Sequence, residues 1–435
     1  MQIKIKPIFI LNKGENAFRH LDGTREIISD EAAVNLRTAQ LSKELRDGLQ
    51  CRDALLDEAI VRDEQDLAKL KMEALRADGL LLYLIGYMPL PTIFNWGVPV
   101  IAFSGQYTPM VSLYALGVER QSRPGITIAL DFQDIDEELQ LLDARKKLQN
   151  SRIALFGFPP YLFSRWHHLP DFELARQKLG VQFSAVELRE LVAQLPTIEQ
   201  REAQTVAERW RQEAKEVIEP SMADVVETAR IYLALHQMLD REKANALALN
   251  CLEMMRALQV LPPCYALTRL RDEGVHAACE ADVIALLTMM LLGYLADAPA
   301  FMGNIVAALP NENILRISHD VVPTKMAGFS QPSRNHILRN YHWSPGVTAH
   351  VELDIGQEVT IARLSRNLDK ILILGGELVN CQDTIACRTT ISAKVSDVRK
   401  FMRSAFGNHH ILVYGNHVKQ AKALCHRLGI DSIEL

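Results

Sequence analysis

The chain has little of what marks a nucleic-acid, membrane or disulfide-stapled protein. Lys and Arg number 48 against 53 Asp and Glu, a formal net charge of −5. No basic field exists to displace counterions from a phosphate backbone, so nucleic acid is not the expected partner. The seven cysteines, Cys51, Cys251, Cys264, Cys279, Cys381, Cys387 and Cys425, are odd in number and form no C-x-x-C pair, which argues against a zinc knuckle or a disulfide framework. The most apolar stretch, 283–296, lies between Asp282 and Asp297, and it is shorter than the roughly 20 residues a bilayer span needs. Residues 1–11 carry two lysines but no long apolar core or small-residue cleavage pattern. No membrane contact and a cytoplasmic address are therefore expected. Glycine-rich nucleotide loops and a G-x-S-x-G elbow are also missing, and Gly375-Gly376-Glu377 leads to no Lys-Ser/Thr, which disfavours nucleotide chemistry.

What is present is a globular composition. Hydrophobic residues make up 48% and charged residues 23%, and 435 residues allow two or three domains. Short apolar runs at 3–11, 80–87 and 98–104 alternate with helical patterns at 30–49 and 67–77, the texture of a parallel sheet covered on both faces. After a charged helix at 136–149 the pattern restarts at 152–157. Two long charged helices are expected at 197–218 and 222–243, then a strand at 246–251 and a helix at 265–272. From about 305, strands at 313–318, 346–354, 358–363, 371–375 and 389–395 follow without helices between them, an antiparallel signature, and 397–428 closes the chain as one α/β unit. The expected fold is α/β: two doubly wound parallel-sheet domains, 1–150 and 151–304, then a mainly antiparallel β domain with terminal helices, 305–435.

Chemistry-bearing residues gather at strand ends. Ala278-Cys279-Glu280-Ala281-Asp282-Val283 lies where a strand gives way to what reads as an amphipathic helix, and ligands in open α/β sheets collect beyond the carboxyl ends of strands. Acids in a first helical turn have a bland explanation in the helix macrodipole. Here Asp272, Glu273 and His276 stand just upstream. Asn304 ends an apolar run, His319 ends the next strand, and Asn408-His409-His410 precedes the apolar strand 411–414. One imidazole alone is usually a hydrogen-bonded or surface group. A carboxylate with imidazoles from separate elements suits a borderline divalent metal such as Mn²⁺. The Met289-Met290-Leu291-Leu292 run is core packing.

Several of these segments resemble the L-fucose/L-arabinose isomerase superfamily. They are Cys264-Tyr265-Ala266-Leu267, Asp272-Glu273-Gly274, 278–283, 319–323, 356–364 (GQEVTIARL), Gly376-Glu377, Cys387-Arg388-Thr389 and the closing Asn408-His409-His410. The similarity is dense from about 262 to the end and rests on architecture and length before that. The resemblance implies a divalent metal, usually Mn²⁺, on O1 and O2 of an open-chain aldose, with two acids moving a proton between C1 and C2 through a cis-enediol. By position, Glu280 is the first metal-binding acid and proton-transfer group. His409, with His410 as second choice, is the C-terminal metal ligand, and His319 matches a ligand of the arabinose branch. The second acid falls on Asn304, and no Asp or Glu lies between Ala298 and Pro310.

An amide is no general base and offers a cation only a neutral carbonyl oxygen. Either catalysis runs with Glu280, a metal-bound water or another acid, or isomerase activity is lost or changed while the sugar site remains. Asp282, Asp320 and the alternating His350, Glu352 and Asp354 are the other groups considered, the last three equally explained as a solvated strand face. The resemblance also implies a homo-oligomer, trimer or hexamer, with sites between subunits. Trp96 and Gln106, and Tyr341 and His342 in a loop before a strand, are candidate sugar contacts. The expected function is metal-dependent aldose–ketose isomerisation of a monosaccharide. A catalytically altered sugar-binding relative and a metal-dependent lyase or epimerase are the alternatives.

Overall fold

The computed structural model describes residues 3–11, 17–19, 25–27, 31–85, 91–105, 116–117, 125–158, 168–342, 344–385 and 387–435. Two compact units divide the chain, Met1–Lys146 and Lys147–Leu435.

In the first unit the strands are β1 (Ile5–Ile10), β2 (Ala17–Arg19), β3 (Arg25–Ile27), β4 (Ala59–Val61), β5 (Gly79–Leu84), β6 (Val100–Phe103) and β7 (Ile126–Ala129). β2 and β3 pair with each other, and the rest form a parallel sheet of order β4-β1-β5-β6-β7. Successive side chains along a strand face opposite ways. Ile5, Phe9, Leu81, Tyr83, Ile101 and Phe103 therefore join one core with the helices Glu31–Gly48 and Phe132–Gln149. Ile8, Ile10, Leu80, Leu82, Leu84, Val100 and Ala102 join the other, under the helix Glu64–Ala74. Both faces are covered, which is why the central strands β5 and β6 are apolar throughout and why Lys6 of β1, buried, is paired with Glu73.

The second unit starts with β8 (Arg152–Phe156), β9 (Gln182–Val186), β10 (Glu216–Val217), β11 (Ala246–Leu249) and β12 (His276–Ala278). β12-β11-β8-β9 form a second parallel sheet. The remaining strands are β13 (Phe301–Leu309), β14 (Ile314–His319), β15 (His336–Tyr341), β16 (Ser344–Val351), β17 (Glu358–Leu364), β18 (Lys370–Gln382), β19 (Thr389–Val395), β20 (His409–Tyr414) and β21 (Asp431–Glu434). The order β17-β20-β13-β14-β19-β18 closes through antiparallel β17–β18 pairing, making a six-stranded barrel, and β21 adds in parallel to β18. The fold class is the one the apolar patterning implies: parallel α/β sheets, then an antiparallel β domain with terminal helices.

Four local expectations need correction. The helix Val283–Ala296 is buried on every side rather than amphipathic. It packs against β11 and β12 of the parallel sheet and against β13, β17 and β20 of the barrel, so no face is left for polar residues. The helix expected at 197–218 is Gln200–Glu213, because Glu216 and Val217 pair in parallel with Ile337 and Leu338 of β15. Phe301–Asn304 begins a nine-residue strand rather than ending one. Tyr341 ends β15, a strand rather than a loop, with His342 in a turn at φ +49°. Among the described residues no helix is long and apolar enough to cross a membrane.

Candidate active site

The site forms where β12 runs out. Glu280 and Ala281 both take left-handed backbone conformations, each with φ +54°, a state that costs a non-glycine residue about 1–2 kcal/mol. The Ala281 amide donates to the Leu249 carbonyl at 3.0 Å, tying this turn to the carboxyl end of β11. The Glu280 amide donates to Cys251 Sγ at 3.3 Å. After the turn, Asp282 caps the buried helix by accepting from the Ala285 amide at 2.8 Å.

Asp282 is fully buried and does more than cap. Arg363 of β17 donates to it from Nη1 at 3.0 Å and also to the His409 carbonyl at 2.7 Å. His409 Nδ1 lies 2.9 Å from Asp282 Oδ2. Burial by itself raises the Asp282 carboxyl, but the Arg363 guanidinium and the His409 hydrogen bond overcome this and hold it well below the usual carboxylate range. A carboxylate only accepts, so Nδ1 of His409 carries the proton and Nε2 carries a lone pair. That Nε2 is buried, has no hydrogen-bond partner, and stands 3.8 Å from Glu280 Oε2.

His319, at the end of β14, completes a group in which one ligand atom each of Glu280, His319 and His409 lie within 4.8 Å of one another. Its ring centroid is 5.6 Å from that of His409. Burial first, then the charges of His409 and Arg271, push the His319 imidazole well below its ordinary pKa, so it is neutral. Asn304 of β13 sits opposite Ser318 on one side and His409 on the other. Its Oδ1 accepts from Asn408 Nδ2 at 2.7 Å. Glu280, Asn304, His319, Asp320, Tyr341 and His342 all line one cavity of about 220 Å³, with Cys251, Cys264, Cys279 and Cys387 in its wall. Burial raises all four thiols, Cys251 and Cys387 to about 12, so they are protonated wall groups.

Of the other candidates, Asp320 lines the same cavity but is engaged by neighbouring groups, and the rest lie elsewhere. His410 follows His409 in β20 and points the other way, packing on Phe401 at 4.9 Å between ring centroids. Trp96 belongs to a core of the first unit, and Gln106 lies outside the described residues. Asp320 accepts from the Arg388 amide at 3.0 Å and pairs with His342 at 3.1 Å. Asp272 accepts from the Thr324 amide and hydroxyl at 2.8 and 2.7 Å. His350 bonds the Arg388 carbonyl at 3.0 Å, while Glu352 and Asp354 form ion pairs with Lys215 and Arg334.

Two contributors had no signal of their own in the sequence. Arg363 stands inside the GQEVTIARL segment, with nothing there to show that it meets Asp282. His168 is the second histidine of the pair His167-His168, which stands in no motif, and its Nε2 lies 3.1 Å from Asn408 Oδ1 and 3.5 Å from Asp282 Oδ2.

A metal fits this donor set. An oriented histidine with a buried unpartnered nitrogen beside a carboxylate is the arrangement in which second-sphere acids prepare metal ligands, and the donors suit a borderline divalent ion. Comparison with known proteins finds similarity to sugar isomerases. Residues 172–294 match the family model of the L-arabinose isomerase central domain. The chain is 22% identical over 367 residues to the sulfoquinovose isomerase of Clostridium sp. (strain MSTE9), covering 79% of this chain and 78% of that protein. It is 23% identical over 308 residues to the sulfoquinovose isomerase of Priestia megaterium (strain ATCC 12872 / QMB1551), covering 68% and 67%.

Proposed function

Because the chain belongs to the L-fucose/L-arabinose isomerase superfamily, we propose that it is a metal-dependent aldose–ketose isomerase acting on a monosaccharide through an enediol. The observation that carries this reading is the Asp282–His409–Glu280 arrangement: a proton fixed on Nδ1 at 2.9 Å, and a buried Nε2 lone pair 3.8 Å from a carboxylate on the cavity wall. Glu280 and His409 anchor the ion, Mn²⁺ being the best match to one carboxylate and one imidazole. When bound, such an ion supplies Lewis acidity to the carbonyl and hydroxyl oxygens of an open-chain sugar.

The chain's own groups do the rest. A C–H beside a carbonyl is too weak an acid to ionise unaided at neutral pH, so a carboxylate must take the proton in position. Glu280, on the cavity wall 3.8 Å from His409 Nε2, removes the proton from C2 and returns it to C1, while the hydroxyl proton passes from O2 to O1 across the enediol. Asp282 and Arg363 keep His409 in the ligating tautomer. The apolar and thiol wall of the cavity limits water around the exchanging proton. We take the enzyme to work in the cytoplasm as a homo-oligomer.

The test is stoichiometric Mn²⁺ binding followed by an aldose panel headed by sulfoquinovose, the sugar in the relatives' names. Metal-dependent ketose formation, abolished in Glu280→Gln, is the expected result. Asn304 favours a second reading, a sugar-binding protein without isomerase turnover. Tight sugar binding with no ketose from any aldose would establish that reading instead. Metal-dependent consumption of a sugar derivative without ketose would point to a lyase or epimerase.

A further inference from the structure

Which atoms carry protons decides what the remaining cavity groups can hold. The Asp320 and Val321 amides both donate to His319 Nδ1, at 2.9 and 3.1 Å. A neutral imidazole has one proton, and with Nδ1 accepting twice that proton must sit on Nε2. Nε2 is the nitrogen that faces the site, where its neighbour in the fold is Cys279 Sγ at 3.4 Å, a weak acceptor. It is therefore an N–H donor with no lone pair for a cation.

Asn304 is oriented by its neighbour Asn408, which His168 holds in turn. His168 Nε2 lies 3.1 Å from Asn408 Oδ1 and 3.5 Å from Asp282 Oδ2. His168 Nδ1 lies 3.4 Å from the Glu280 carbonyl, so the ring bridges Asn408 and the Glu280 backbone. Asn408 then presents its NH₂ to Asn304 Oδ1 at 2.7 Å. With its oxygen engaged, Asn304 has its own NH₂ to offer the cavity it lines.

We infer that His319 and Asn304 present N–H donors to oxygens of the sugar, and that within the Glu280–His319–His409 group it is Glu280 and His409 that anchor the metal. This rests on the isomerase reading and reverses the ligand and acid roles that the resemblance implies at these two positions. Fixed donors aimed at the oxygens of C1 and C2 stabilise the negative charge that develops as the C–H proton leaves. An N–H donor in place of the second acid takes Asn304 out of the C–H proton transfer and leaves that step to Glu280. The ligand class is the open-chain polyol, which these donors would hold beside the ion in the cavity.

The experiment is Mn²⁺ titration of the full-length protein, then titration of the Mn²⁺-loaded protein with a linear alditol, an unreactive mimic of the open-chain sugar. His409→Gln is expected to weaken Mn²⁺ binding by about 10–100-fold. His319→Phe, which keeps a planar ring and removes the donor, is expected to leave Mn²⁺ affinity unchanged and weaken alditol binding by about tenfold or more. His319→Gln, whose amide replaces the donor, should restore most of the alditol affinity and guards against a folding defect in the Phe variant. Asn304→Asp should bind Mn²⁺ more tightly and the alditol more weakly. Loss of Mn²⁺ in both His319 variants, comparable to that in His409→Gln, overturns the inference while leaving the isomerase reading intact. Indifference of Mn²⁺ binding to Glu280→Gln and His409→Gln would instead remove the isomerase reading itself.

Discussion

A carboxylate buried against a buried guanidinium cannot be neutralised without stranding charge, and that is the position of Asp282. Its two oxygens meet Arg363, His409 and a helix amide at once. Asp282→Asn keeps the shape, but leaves Arg363 without its counter-charge and offers Nδ1 of His409 an amide that can rotate. Breaking one side of a buried pair costs about 3–5 kcal/mol, to be read by denaturant unfolding at pH 7, with Mn²⁺ affinity down by about 10–100-fold. The pH dependence follows from the sign of the shift. The folded carboxyl is depressed, so its contribution is fully present above the unfolded value of about 3.9 and is lost as the pH falls below it. His276 acts in the same direction at higher pH. Burial, then the charges of Arg271 and Lys147, lower it to about 3. The unfolded chain takes up this proton below about 6.5 while the folded one refuses it, so stability falls by roughly 1.4 kcal/mol per pH unit from there down to the folded pKa. His276→Gln should flatten that limb of a pH–stability curve, and an unchanged slope would assign it to other groups.

Elements place these residues by close approach, and Gly407 shows how little room is left. A Cβ there would sit 2.8 Å from Arg363 Nε and 3.0 Å from Cζ, so the guanidinium that holds Asp282 would have to move. Gly407→Ala is expected to cost about 1–3 kcal/mol by overpacking and to weaken Mn²⁺ binding although residue 407 is no ligand. Thermal unfolding and Mn²⁺ titration of one preparation check both, and a loss of stability with full metal affinity would show that Arg363 adjusts freely. The elements also show where the sequence could be read and where it could not. Apolar runs such as Leu80–Leu84 revealed parallel strands because covered faces leave no polar positions. The helix Val283–Ala296 was misjudged for the same physical reason, since a helix clasped between sheet and barrel has no outer face to announce. Barrel closure depends on β17 meeting β18 and β20 together, and no local pattern carries that information. At the site, residue type and strand ends brought out Glu280, His319 and the pair His409-His410, and only the family resemblance favoured His409. Arg363 and His168 could not, because their meaning lies in contacts with Asp282 from 81 residues later in the chain and 114 residues earlier.

At the scale of the whole chain, every group assigned to the metal lies beyond the boundary at Lys147. Glu280, Asp282, Arg363 and His409, together with His168, belong to one compact unit. That unit contains both its parallel sheet and its barrel, and the helix between them supplies a continuous buried core. The first unit has two cores of its own around a separate five-stranded sheet. Each unit therefore has a core of its own, the condition for a domain that folds alone. A chain starting at Lys147 should thus fold cooperatively and bind Mn²⁺ as tightly as the full-length protein, because no anchoring atom has been removed. Calorimetric unfolding and Mn²⁺ titration of residues 147–435 beside the intact chain provide the check. Full metal affinity in the fragment, abolished again by His409→Gln, would place the metal centre within this unit. A folded fragment that binds no Mn²⁺ would mean that a ligand comes from residues 1–146 or from another copy of the chain, and the two-residue anchor would have to be abandoned.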